Sequence, residues 1–103
     1  MKTRINYAKA SPEAFKAVMA LENYVQGSGL ERRFVHLIKL RASIINGCAF
    51  CVDMHVKEAK IHGERELRLH HVAVWRESPL FSAREKTAFA LTEALTRIGE
   101  HGV

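Results

Sequence analysis

Cys48 and Cys51 are the only cysteines in the chain, and His55 follows four residues after the second. On a helix this spacing puts both thiols and the imidazole on one face. Such a set supplies the parts of a dithiol redox centre. One thiol attacks, the other resolves the product as a disulfide, and the imidazole holds or moves the proton. Asn46-Gly47 ends one helix and Cys48 begins the next. Cys48 therefore lies near a helix N-terminus, where unpaired N–H groups and the dipole favour a thiolate. Cys51, one turn further in, faces His55, which can accept its proton or stabilise the thiolate as imidazolium. A pair at this spacing closes to a disulfide with little backbone movement.

Other readings of the same residues stand beside this one. Two cysteines on a buried helix face can be small core hydrophobes. A zinc site could use Cys48, Cys51 and His55, with a fourth ligand from His62, His70 or His71, although none of these has a recognised spacing. A purely structural disulfide would close too short a loop to add much stability. His62 precedes Gly63 and reads as a cation at a helix C-terminus. His70 and His71 are consecutive and must point in different directions. His36 lies on the preceding helix, twelve residues before Cys48. A reversal at Asn46-Gly47 can bring it to face the cysteines; without one it is a partly buried polar residue.

The elements that must position these groups read as helices nearly throughout. Ser11-Pro12-Glu13 is a helix start, followed by Phe15, Val18, Met19, Leu21 and Tyr24-Val25 up to Gly27-Ser28-Gly29. A second helix begins near Glu31 and carries Phe34, Leu37, Ile38, Arg41 and Ile45 in register. The third starts at or just before Cys48 and runs to Ile61, with Gly63 as its stop. The fourth, from about Glu64, carries Leu67, Leu69, Val72, Val74 and Trp75 and ends before Pro79. Ser82-Ala83-Arg84-Glu85 is a capping box for the fifth, whose apolar stripe is Ala88, Leu91, Leu95 and Ile98, ending at Gly99. No alternating strand pattern competes. The expectation is an all-α, single-domain bundle of about five helices over residues 1–103.

Composition bounds the class. The chain has 103 residues, of which 48% are hydrophobic, and two prolines, so it should fold around a modest core. No apolar run is long enough to span a membrane. Met1-Lys2-Thr3-Arg4 is basic, but the next residues are not an apolar stretch, so no signal peptide is expected. A cytoplasmic location follows as the default, and there a two-cysteine motif is redox-active or metal-binding more often than a staple. The net charge is +5, yet the basic residues are scattered rather than clustered, which argues against nucleic acid as a partner.

The run Lys39-Leu40-Arg41-Ala42-Ser43, then Asn46-Gly47-Cys48-Ala49-Phe50-Cys51, then Asp53-Met54-His55 resembles the alkylhydroperoxidase D-like branch of the carboxymuconolactone decarboxylase family. The strong match covers about residues 31–64. The flanks Tyr7–Pro12, Trp75–Pro79 and Phe81–Glu85 look similar too. The resemblance implies an all-helical fold assembling as a homo-oligomer, a trimer or hexamer. It implies a thiol-dependent peroxidase that takes a hydroperoxide substrate and an external dithiol reductant, with no bound cofactor or metal. In that scheme Cys51 attacks the peroxide and becomes a sulfenic acid, Cys48 condenses with it to a disulfide, and His55 belongs to the proton relay. The decarboxylase branch lacks the cysteine pair, which disfavours lactone decarboxylation.

The chain departs from the family pattern in the relay, at two positions, and in length. The family usually carries a glutamate twelve residues before the first cysteine, where this chain has His36. An imidazole there can act as a surrogate base but supplies no fixed negative charge. Phe50 stands where better-studied members carry another histidine. Family members also commonly continue beyond the helix that ends here near Gly99, so the chain reads as short at its C-terminus. The resulting expectation is a peroxidase using Cys51, Cys48, His55 and His36. The alternative is a thiol–disulfide exchange or redox-sensing protein with little peroxide turnover.

Overall fold

A computed structural model describes residues 4–102, apart from the side chains of Glu100 and His101. The basic Met1–Thr3 and the final Val103 lie outside the described residues. Among those described the secondary structure is helical with no strand, as the periodicity predicts. None of the described helices is long and apolar enough to cross a membrane. The chain divides into two compact units, Met1–Leu30 and Glu31–Val103.

The first unit holds α1 (Tyr7–Ala10) and α2 (Pro12–Gln26). The single turn of α1 is absent from the sequence reading, because four residues are too few to show a period. Asn6 caps it, its side chain accepting the Lys9 N–H at 3.2 Å. Pro12 opens α2, where its missing N–H would be unpaired in any case. Ser11 occupies the cap position as expected, but its side chain makes no capping hydrogen bond. Tyr7 and Phe15 meet with ring centroids 5.5 Å apart. No residue of α2 is buried, and Val18 and Tyr24 of its apolar stripe are exposed, as is Leu21 at its flank.

The second unit carries α3 (Arg32–Asn46), α4 (Ala49–Ile61), α5 (Glu66–His71), a 3-10 turn (Val72–Val74), α6 (Ala83–Thr96) and α7 (Ile98–His101). Glycines in the left-handed region mark both ends of α4: Gly47 at φ +68° and Gly63 at φ +88°. At the first, Gly47 N–H donates to Ile44 O and Cys48 N–H to Ser43 O, each at 3.1 Å. This Schellman pattern satisfies the last carbonyls of α3 and turns the chain back. The same pattern recurs where Gly63 N–H meets Lys60 O and Glu64 N–H meets Ala59 O.

The reversal packs α4 against α3. Leu37 and Leu40 of α3 join Ala59, Leu69, Val72, Trp75, Phe81 and Phe89 in the core, flanked by Ile44, Val52 and Val56. Phe89 anchors α6, with Phe81 edge-on at 5.0 Å and Trp75 at 5.5 Å. The stripe expected on α6 is corrected here: Leu91, Leu95 and Ile98 are exposed, while Phe89 and Thr92 are buried. That helix has apolar residues on two sides, and α3 packs against the Phe89 side. On the fourth helix Leu69, Val72 and Trp75 are buried, but Leu67 and Val74 are exposed: Leu67, two residues before Leu69, lies on the opposite helical face, and the α-helix tightens into a 3-10 turn after His71. The capping box of α6 is present as read, with Ser82 Oγ accepting from Glu85 N–H and the Glu85 carboxylate accepting from Ser82 N–H.

Two ion networks tie the helices together. Arg41, the charged member of the α3 stripe, is buried and donates to Glu93 Oε1 at 2.7 Å, an oxygen that also accepts from Trp75 Nε1 at 2.9 Å. Arg68 sits between two carboxylates. It is hydrogen-bonded to Glu64, donates to Glu85 Oε2 at 2.6 Å and to Leu80 O at 2.5 Å, and stacks over Phe81. The Glu64 side chain is fully buried, and its other ion-pair partner is the half-exposed Arg33, 3.8 Å away. Removing Arg68 strands a buried charge. Arg68→Ala should lower the unfolding free energy by about 3 kcal/mol, measured by urea denaturation. A change within the ordinary surface range would remove Arg68 from its structural role.

Candidate functional site

Cys48 and Cys51 are joined in a disulfide, with their Cα atoms 5.3 Å apart, inside the span that a disulfide accepts. Cys48 is the N-cap of α4, and its Sγ accepts the Cys51 N–H at 3.2 Å. The expected position at a helix start is therefore met, with one backbone donor already aimed at the first sulfur. Both cysteines are half-buried. Cys48 lines an open groove of about 570 Å³ together with Ser43, Ile44, Val52 and Val56. With both sulfurs in the disulfide neither is a thiolate, so the zinc set of Cys48, Cys51 and His55 is not formed in this state.

His55 is buried one turn beyond Cys51 on α4. The fold-back at Gly47 brings His36 of α3 to it, with ring centroids 5.7 Å apart. His36 is more than partly buried: 3% of its surface is exposed. His62, at the C-terminal end of α4, stacks on His36 at 5.5 Å with the rings 11° from parallel. His62 therefore ends the helix as read and also stacks on His36, which the spacing alone does not reveal. His70 and His71 diverge as expected. His70 Nε2 lies 3.7 Å from Glu66, and His71 Nδ1 lies 2.8 Å from Ser78 Oγ.

Sequence reasoning passes over Glu58. Its Oε2 lies 3.3 Å from His36 Nε2, so a carboxylate from α4 reaches the position where this chain carries His36 instead of an acid. The signal was available: Glu58 falls three residues after His55 and seven after Cys51, on the same helical face. The donor atoms of His36, His55 and Glu58 all lie within 4.8 Å of one another. Burial pushes His36 below the usual imidazole value. The Glu58 charge pulls it upward, while His55, His62 and Lys39 push it down, and the net direction is down. The Nδ1 atom of His36 is buried without a hydrogen-bond partner, consistent with a group that is costly to protonate.

The fold and the site together define an all-helical protein with a Cys-X-X-Cys disulfide at a helix start, backed by a buried histidine pair. The chain belongs to the carboxymuconolactone decarboxylase family, whose model matches residues 12–94, and within it to the alkylhydroperoxidase D-like branch. It is 41% identical over 98 residues to the uncharacterized protein YdfG of Bacillus subtilis (strain 168), covering 95% of this chain and 67% of that protein. It also matches a crystal structure from Agrobacterium tumefaciens with a TM-score of 0.84 and 68% identity, over 96% of this chain and 68% of the other. That protein is described as of unknown function and as a candidate antioxidant-defence protein of the AhpD type.

The His36 environment makes a stability prediction. A folded-state value below the ordinary 6.5 means that the unfolded chain binds the proton first as pH falls. The contribution is whole above about pH 6.5 and is lost as pH drops through the folded value. Between about pH 7.5 and 5.5 the thermal midpoint of the wild type should therefore fall further than that of His36→Gln. Equal falls in both proteins would show that His36 titrates alike in the folded and unfolded chains.

Proposed function

We propose that this chain is a thiol-dependent peroxidase that reduces hydroperoxides through a Cys48/Cys51 dithiol–disulfide cycle. The observation that carries the reading is the disulfide at the start of α4, with buried His55 one turn away on the same helix. The Cys51 thiolate attacks the distal peroxide oxygen, breaking the O–O bond. The sulfur becomes a sulfenic acid and the leaving alkoxide takes a proton to become an alcohol. His55 accepts the Cys51 proton before the attack and returns a proton to the leaving oxygen. Cys48, its sulfur supported by the Cys51 N–H, displaces water from the sulfenic acid to form the disulfide. An external dithiol then attacks the disulfide and leaves oxidised itself, restoring both thiols. One peroxide and one dithiol become alcohol, water and a disulfide.

His36 and Glu58 act behind His55 in this scheme. The family's acid is replaced by His36, and Glu58 brings a negative charge to His36 from the facing helix. That charge favours positive charge on the imidazole pair while the Cys51 thiolate forms. No cofactor or metal takes part in this cycle. The cytoplasm, with its reducing thiol pool, suits the chemistry. A trimer or hexamer is the assembly in keeping with this reading, and the exposed Leu91, Leu95 and Ile98 offer surface for it. A second reading, thiol–disulfide exchange or redox sensing with little peroxide turnover, draws on His36 standing where the family has glutamate. Steady peroxide consumption with a dithiol present separates the two.

The cysteines should differ in role. Cys51→Ser should abolish peroxide consumption. Cys48→Ser should leave one oxidation event per chain that ends as a sulfenic acid or mixed disulfide, counted by free-thiol titration and mass spectrometry. Complete loss of the first oxidation in both variants would remove the assignment of Cys51 as the attacking thiol.

Glu58→Gln should slow the oxidation of Cys51 by about tenfold, the effect of about one pKa unit of lost charge stabilisation. Stopped-flow measurement of peroxide reacting with the reduced protein reads this directly. An unchanged rate would place Glu58 outside the relay.

A further inference from the structure

His36, His55 and Glu58, the groups behind the disulfide, also have the donor set of a metal site. Two imidazole nitrogens and a carboxylate oxygen lie within 4.8 Å of one another, and this N/O set suits a borderline divalent ion. We propose that these three residues bind a divalent first-row transition ion of the zinc class, at a site that uses neither cysteine.

The spacing of one ligand pair fits the ion, and the third ligand atom, on His55, lies within 4.8 Å and closes in when the ion binds. Ligands about 2.0–2.1 Å from a tetrahedral zinc lie about 3.3 Å from each other, and His36 Nε2 and Glu58 Oε2 are 3.3 Å apart. The supports are firm on two sides, because His36 and His55 are buried on facing helices of the hairpin. Glu58 supplies the remaining requirement, an entry path. Its side chain is 44% exposed while its carboxylate reaches the buried His36, so an ion can be taken from solvent and passed inward. One negative and two neutral donors leave an ion with net positive charge and room for water in its remaining position, as in open zinc sites. The site shares His55, His36 and Glu58 with the relay proposed above but uses neither sulfur, so metal binding is measured without peroxide turnover and the two readings fail separately.

The test uses the full-length protein in its disulfide form, stripped of metal with a chelator that is then removed. Zinc is titrated against a chromophoric chelator, and zinc per chain is counted after dialysis. One zinc per chain is expected, and the Cys48→Ser/Cys51→Ser double variant should bind it equally. Glu58→Gln, at a half-exposed position that should not disturb folding, should weaken binding by about tenfold or more. His36→Gln should weaken it at least as much, with circular dichroism confirming helicity in each variant. Cobalt in place of zinc should give a d–d spectrum without a thiolate charge-transfer band. Absence of bound zinc in the wild type would overturn the site. Binding undiminished by Glu58→Gln and His36→Gln would also overturn it, because it would place the zinc on other residues. Binding lost only in the double cysteine variant would assign the metal to the sulfurs instead.

Discussion

The reversal at Gly47 is the constraint on which the rest of the second unit depends. A residue at φ +68° is inexpensive only for glycine, and the two hydrogen bonds around it end α3 and start α4 within three residues. The connection is so short that α4 must run back along α3. That return places Ala59, Val52 and Val56 against the Leu37–Leu40–Ile44 face, and it sets His36 across from His55. The core and the histidine pair are thus two products of one turn. An alanine at position 47 would meet no neighbouring atom, so its cost would be conformational, arising in the backbone alone.

The site shows how a helical hairpin divides labour. The start of α4 supplies what a sulfur needs, a backbone N–H and access to solvent at the groove. One turn further in, the same helix enters the interior, where His55 and His36 are held away from water. The disulfide beside the groove and the buried histidine pair are separated by a single turn. Ion pairs keep the frame in place: Glu93 binds Arg41, Trp75 and Arg76 at one end, and Arg68 joins Glu64 to Glu85 at another. Each buried carboxylate is paired, which offsets the cost of taking it from water.

Much of this was legible in the sequence because it is local. The Ser82–Glu85 capping box, proline at the first position of α2, and the glycines that bound α4 all act within one or two turns. The cysteine spacing and the Cys48 helix start are of the same kind. The features that escaped depend on how helices approach one another. Glu58 matters only because α3 passes beside it, 22 positions away in sequence (58 − 36). The α6 stripe was read from periodicity, which finds an apolar face but does not say which face a neighbour takes; Phe89 won over Leu91 and Leu95 because α3, Trp75 and Phe81 converge on it. Arg41 was visible as a charge in an apolar row, whereas its partner, on α6, was not. The tightening after His71 also lies beyond periodicity, because the same apolar residues suit an α-helix or a 3-10 turn.

Cys48 belongs to two helices at once. Its N–H closes the last turn of α3 on Ser43, and its sulfur accepts from the first turn of α4. Any chemical change at that sulfur therefore alters a cap as well as a bond. The amide of Cys51 is a built-in reporter of this change: its exchange with deuterium and its nitrogen chemical shift follow the electron density on the sulfur it faces. The oxidation state of the pair can thus be read from a backbone signal, without labelling or consuming either thiol.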